Sequence, residues 1–121
     1  MSTVETTLKE AITIDGAVAV ALVDYTSGMT LGTAGDTTAI DLDLAAAGNT
    51  DVIRAKMRTM ESLALDDEIE DILITLGKQY HLIRLSRTNP GLFVYLVLGK
   101  ERANLAMARH RLSTVERSLV L

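Results

Sequence analysis

Residues 68–99 read EIEDILITLGKQYHLIRLSRTNPGLFVYLVLG, and this stretch decides the fold. Two turn signals divide it into three apolar runs. In the first, Ile69 to Leu76, Ile72, Ile74 and Leu76 alternate with Leu73 and Thr75, which is the period of a strand. Gly77-Lys78 is a two-residue turn. Gln79 to Arg87 returns as a second strand, apolar at Tyr80, Leu82, Ile83 and Leu85 and polar toward its end. Thr88-Asn89-Pro90-Gly91 is a strong turn, because proline pre-sets φ and glycine accepts positive φ. Leu92 to Leu98 is apolar on both faces, so it is expected as a central strand. Short turns between successive strands make this an antiparallel meander.

Outward from the meander the period changes. After Gly99 a helix is expected from about Lys100 to Leu119. Leu105, Ala108, Leu112, Val115 and Leu119 form its apolar stripe, with Arg102, Arg109 and Arg117 off it. Upstream, Asp41 is placed to cap a long helix that runs to about Ser62. Ile53, Met57, Met60 and Ala64 keep one face of that helix, Leu42, Ala45, Ala46 and Asn49 continue it, and Gly48-Asn49 is its weak point. Ala17 to Asp24 is a second central strand, with Val18, Val20 and Leu22 on one face and small alanines on the other, suited to close contact with a helix. Tyr25-Thr26-Ser27-Gly28 turns the chain into a shorter edge strand, Met29 to Thr33. Ser2 to Ile12 reads as a first helix, with Ser2 and Glu5 at capping-box spacing. The order is α-β-β-α-β-β-β-α, an α+β class.

The 121 residues are expected as a single domain, residues 1–121. There is no cysteine, so disulfides and thiolate chemistry are excluded. The net charge is -4 but uneven: Asp66-Asp67-Glu68-Ile69-Glu70-Asp71 is a dense acidic run, read as a solvated loop, whereas the charged residues from Lys78 to Arg117 are mainly basic. The overall sign and the lack of stacking aromatics among the basic residues argue against nucleic acid as a partner. The apolar runs Val18 to Val23 and Leu92 to Leu98 are too short to span a bilayer, and no basic lead precedes an apolar run at the N-terminus. No membrane insertion is expected, and a cytoplasmic location is.

Catalytic signatures are missing. Gly99-Lys100 lacks the preceding glycine of a phosphate loop, and Glu101 stands where Ser or Thr is needed. His81 and His110 are the only histidines and have no ligand spacing. The acidic run lacks the glycine and terminal glutamate of a calcium loop. The expectation is therefore a non-enzyme with no catalytic residue, metal or cofactor.

The segments Gly16-Ala17-Val18-Ala19-Val20-Ala21-Leu22-Val23-Asp24, Ser27-Gly28, Asp71 to Arg84 and Leu92 to Leu98, in this order of elements, resemble the Roadblock/dynein light-chain family, in particular its small bacterial Mgl-type members. The resemblance implies a five-stranded antiparallel sheet with the long middle helix on one face and the terminal helices on the other. It implies a homodimer in which the strand after the middle helix pairs with its copy and the two middle helices pack together. The interface residues expected on that basis are Ile53, Met57, Met60, Ile69, Ile72 and Ile74. It also implies a Ras-like small GTPase as partner, since bacterial relatives commonly regulate one, or a scaffold role as in eukaryotic relatives. Arg84, Arg87 and Arg102 are candidates for an arginine finger.

A physical argument meets the resemblance. If the last strand pairs with the first, the sheet edges are Met29–Thr33 and Ile69–Leu76. The former is short and polar; the latter carries Ile72, Leu73 and Ile74 with no charge in its second half. Such an edge templates aggregation unless something covers it, and a second copy does so in a closed twofold assembly. The alternatives are a small-molecule sensor of the PAS or GAF type, which requires a cavity over the central strands, and a purely structural scaffold subunit.

Overall fold

The computed structural model describes residues 2–121. Three helices and five strands follow the expected order: α1 (Val4–Ala11), β1 (Ala17–Asp24), β2 (Met29–Gly35), α2 (Leu42–Ser62), β3 (Asp71–Thr75), β4 (Gln79–Leu85), β5 (Leu92–Gly99) and α3 (Leu105–Arg117). All neighbouring strands are antiparallel, in the order β2-β1-β5-β4-β3. The sheet is open, and its edges are β2 and β3.

β5 is central because nothing on it is polar enough to face water: Leu92 to Leu98 are all buried. Its alternate residues feed two cores. Val94, Leu96 and Leu98 join Val20 and Leu22 beneath Leu8 and Ala11 of α1 and Ala108 and Leu112 of α3. Phe93, Tyr95 and Val97 join Ala19, Ala21 and Val23 beneath Leu42, Ala46 and Ile53 of α2. The alanines of β1 thus lie under α2, as their small size requires. Val18 departs from the expected alternation and packs with them, while Ala17 turns to the other core. The register with β5 shifts between Ala17 and Ala19, and one extra residue reverses the face.

Other boundaries move for local reasons. Thr3, not Ser2, caps α1, its hydroxyl accepting from the Thr6 N–H at 3.2 Å. Ser2 is instead a bridge partner of Leu119: its N–H donates to Ser118 O and its carbonyl accepts from Val120 N–H. α3 starts later than expected, at Leu105. Asn104 is its cap, and residues 100–103 form a turn closed on the Gly99 carbonyl. α2 runs unbroken through Gly48-Asn49 from its expected cap, Asp41. Arg54 on α2 pins the hairpin by donating to the Tyr25 and Thr26 carbonyls at 2.8 and 2.9 Å.

α2 ends in a Schellman motif. Ala64 N–H donates to Glu61 O and Leu65 N–H to Met60 O, each at 3.0 Å. Ala64 occupies the left-handed position, φ 55°, that glycine normally fills. Ala64→Gly is therefore expected to stabilise the fold by about 0.5–1 kcal/mol, relief of strain outweighing the greater freedom of unfolded glycine. Urea unfolding checks it; an unchanged or lower midpoint contradicts it.

Candidate interaction surface

The two sheet edges differ. On β2 the register jumps from Leu22↔Gly32 to Val23↔Thr30, leaving Leu31 as a bulge. A bulge twists an edge away from further pairing, so it blunts β2 although Met29 to Gly35 carry no charge. β3 runs in step with β4 through all five pairs, Asp71↔Arg84 to Thr75↔Tyr80. It is shorter than the expected Ile69–Leu76 span, but it is straight. Ile72 and Ile74 lie on the α2 side, opposite Ile83 and His81. Leu73 lies on the other side, opposite Leu82, and is 38% exposed.

Beside this edge runs an open groove. α2 packs over β1 and β2, so its C-terminal half leaves a gap toward β3 and β4. Tyr25, Met57, Met60, Leu65, Ile69 and Leu85 line about 560 Å³ of it, with Glu61, Asp67, Glu68 and Arg87 adding charge. A second portion of about 540 Å³ continues past Val52 and Lys56 to Ile72.

Of the six residues expected at an interface, Ile53 is wholly buried in the α2-side core. Met57, Ile69 and Ile72 pack against that core with part of their surface free. Met60 and Ile74 are likewise half-buried. Ile69 lies before β3, not within it. Apolar residues beside this groove and edge that the expectation does not name are Val52, Leu63, Leu65 and Leu73, which are 38%, 62%, 52% and 38% exposed. The signal available was Leu63-Ala64-Leu65, an apolar triplet set between a helix end and an acidic run.

An open five-stranded antiparallel sheet, with one long helix on one face and the two terminal helices on the other, is shared with solved structures. The Roadblock/LC7 domain from Streptomyces avermitilis matches with a TM-score of 0.81 at 12% identity, over 97% of this chain and 94% of that one. MglB of Myxococcus xanthus matches at 0.75 and 18% identity, over 91% and 82%. The gliding protein MglB from Thermus thermophilus matches at 0.70 and 17%, over 91% and 85%. The chain has the Roadblock/LC7 fold. No protein-family model and no curated protein matches the sequence.

In this Roadblock/LC7 sheet the acidic run is not a purely solvated loop. Arg109 of α3 makes a two-pronged bond to Asp71, Nε to Oδ2 at 2.9 Å and Nη2 to Oδ1 at 3.0 Å. Hydrogen bonding to Asp71 raises the Arg109 pKa further above neutrality. Glu70 meets Arg87 at 3.4 Å. Among the described residues no group of three or more His, Asp or Glu is gathered as a metal site, and no helix is long and apolar enough to cross a membrane.

One polar chain interrupts the α2-side face. The His81 Nδ1 lies 3.0 Å from the Tyr95 hydroxyl and its Nε2 lies 2.9 Å from Gln79 Oε1. An amide oxygen only accepts, so Nε2 carries the proton and Nδ1 accepts from Tyr95, a neutral imidazole. Burial lowers the His81 pKa from its ordinary 6.5. Between that value and the lower folded one, the unfolded chain binds more protons, so stability rises with pH there. The fold is expected to hold full stability above pH 6.5 and to lose some as pH falls through the folded pKa. Asp24 and Asp36, lowered chiefly by hydroxyl bonds from Thr26 and Thr38, act in a separate window below 3.8. Urea midpoints from pH 7.5 to 4.5 test this: the wild type should lose stability over that limb and His81→Gln should flatten it. Equal limbs contradict it.

Proposed function

We propose that the chain is a non-catalytic homodimeric adaptor or regulator that binds a small Ras-like GTPase in the cytoplasm. The observation that carries the reading is the straight, open β3 edge beside an apolar groove. A row of unpaired backbone donors and acceptors flanked by aliphatic side chains is a site for strand addition. A second copy supplies an identical strand and closes the pair by twofold symmetry. Met57, Met60, Ile69, Ile72 and Ile74 form the surface of that contact, and Ile53 supports it from beneath. The GTPase half is supported by the likeness to MglB structures together with what the sequence resemblance implies. A small-molecule sensor has less support, since the central strands are covered on both faces and the groove lies to one side.

The interface is expected to bury on the order of 800 Å² per subunit or more. Light scattering at micromolar concentration should find a dimer, and Ile74→Lys, which places a charge at the seam, should give a folded monomer by circular dichroism. A monomeric wild type would overturn the dimer. Pull-down with small GTPases of the same cell, loaded with GDP or with a GTP analogue, tests the partner; no retention in either state removes it.

A further inference from the structure

The β3 edge also specifies how a second copy aligns on it, an inference that rests on the dimer reading above. Leu85 N–H donates to Glu70 O, and Leu76 N–H donates to Gln79 O. These two bonds set the phase of the β3–β4 ladder. Hydrogen-bonded pairs recur at every second residue, so Glu70, Ile72, Ile74 and Leu76 turn their backbone groups toward β4. Asp71, Leu73 and Thr75 turn theirs to the open side. A copy arriving antiparallel can satisfy them only with its own Asp71, Leu73 and Thr75, which excludes every register that sets an outward residue opposite an inward one.

Few registers remain. Placing Asp71 opposite its copy sets two carboxylates together, which is repulsive. An axis at Ile72 pairs Thr75 with Ile69, and one at Ile74 pairs Asp71 with Gly77; both partners lie outside the strand. An axis at Leu73 pairs Leu73 with itself and Asp71 with Thr75, using all three outward residues within the strand. It also sets Ile72 against Ile74 of the copy on the α2 side and covers the half-exposed Leu73 with its own copy on the other.

We propose that the twofold axis of the dimer passes through Leu73, with the Leu73 backbones exchanging both hydrogen bonds. The chain has no cysteine, so single replacements report the alignment without background. Under oxidation, Leu73→Cys should give a covalent dimer on a non-reducing gel. Ile72→Cys and Ile74→Cys should not, each being displaced from its own copy by two residues along the seam, beyond the roughly 7 Å reach of a disulfide. With Leu73 intact, Asp71→Cys subunits mixed with Thr75→Cys subunits should cross-link to each other and neither to itself, which covers the case in which Leu73→Cys fails to assemble. Self-cross-linking at 72 or 74 by a protein that scatters as a dimer overturns the alignment and leaves the dimer standing. A scattering dimer that cross-links at none of these positions overturns the β3 seam itself. A monomer overturns the reading on which both rest.

Discussion

Glu116→Ala is expected to lower the unfolding free energy by about 2–4 kcal/mol, through loss of a side-chain hydrogen bond and creation of a small cavity. Glu116 is wholly buried on α3, and its Oε1 accepts the Arg87 N–H at 2.6 Å. That amide opens the β4–β5 turn. The same turn is held by Ser86 Oγ accepting from Asn89 N–H at 3.1 Å and by Asn89 Nδ2 donating to Leu119 O at 3.1 Å. The carboxylate therefore docks the turn onto the end of α3, and alanine leaves the Arg87 N–H without this acceptor. Glu116→Gln keeps an acceptor at the same place, and Oε2 has no hydrogen-bond partner among the described residues. The amide variant should lose much less than the alanine variant, under about 1 kcal/mol. Urea unfolding separates the two; an alanine variant within 0.5 kcal/mol or so of wild type would mean that the turn does not depend on this bond.

Gly16→Ala is expected to cost a similar amount, about 2–4 kcal/mol, from two sources that add. Gly16 sits at φ +85°, where a side chain is strained. A Cβ there would fall 2.8 Å from the backbone N of Ala103 and 2.9 Å from its Cα. Backbone cannot swing aside as a side-chain tip does. The closeness is structural: the Gly16 carbonyl accepts the Gly99 N–H at 2.8 Å, tying the turn before β1 to the turn before α3. Gly77→Ala is the control, because nothing lies within 4 Å of its added Cβ and its φ is not positive. It should unfold within about 0.5 kcal/mol of wild type. Equal losses at both positions would refute the packing argument.

These positions mark the limit of sequence reading. Asp15-Gly16 is a turn signal in the sequence, but nothing local announces the contact of Gly16 with Ala103, a segment 87 positions away (103 minus 16). Glu116 lies off the apolar stripe of α3 and reads as solvent-facing; only the return of the β4–β5 turn over that helix buries it. Ser2 and Thr3 are both good caps, and the choice between them follows from the bridge of Ser2 to Leu119 at the far end of the chain. Ile53 and Met57 share one helical stripe, yet the first is core and the second partly surface, because α2 lies across β1 and β2 and its C-terminal half leaves a groove. The blunting of β2 rests on a bulge at Leu31 that no residue type announces.

By itself the sequence determined the element order, the antiparallel meander and the central place of Leu92–Leu98, since alternation, helical stripes and turn residues act within a few positions of one another; the two open edges follow only once β5 lies beside β1, a pairing of distant segments. Only the tertiary structure decided which apolar residues stay at the surface, which carboxylate is buried and which way the backbone of β3 faces. Those depend on where segments distant in the chain come to lie, and the energies involved belong to pairs of residues that no local pattern joins.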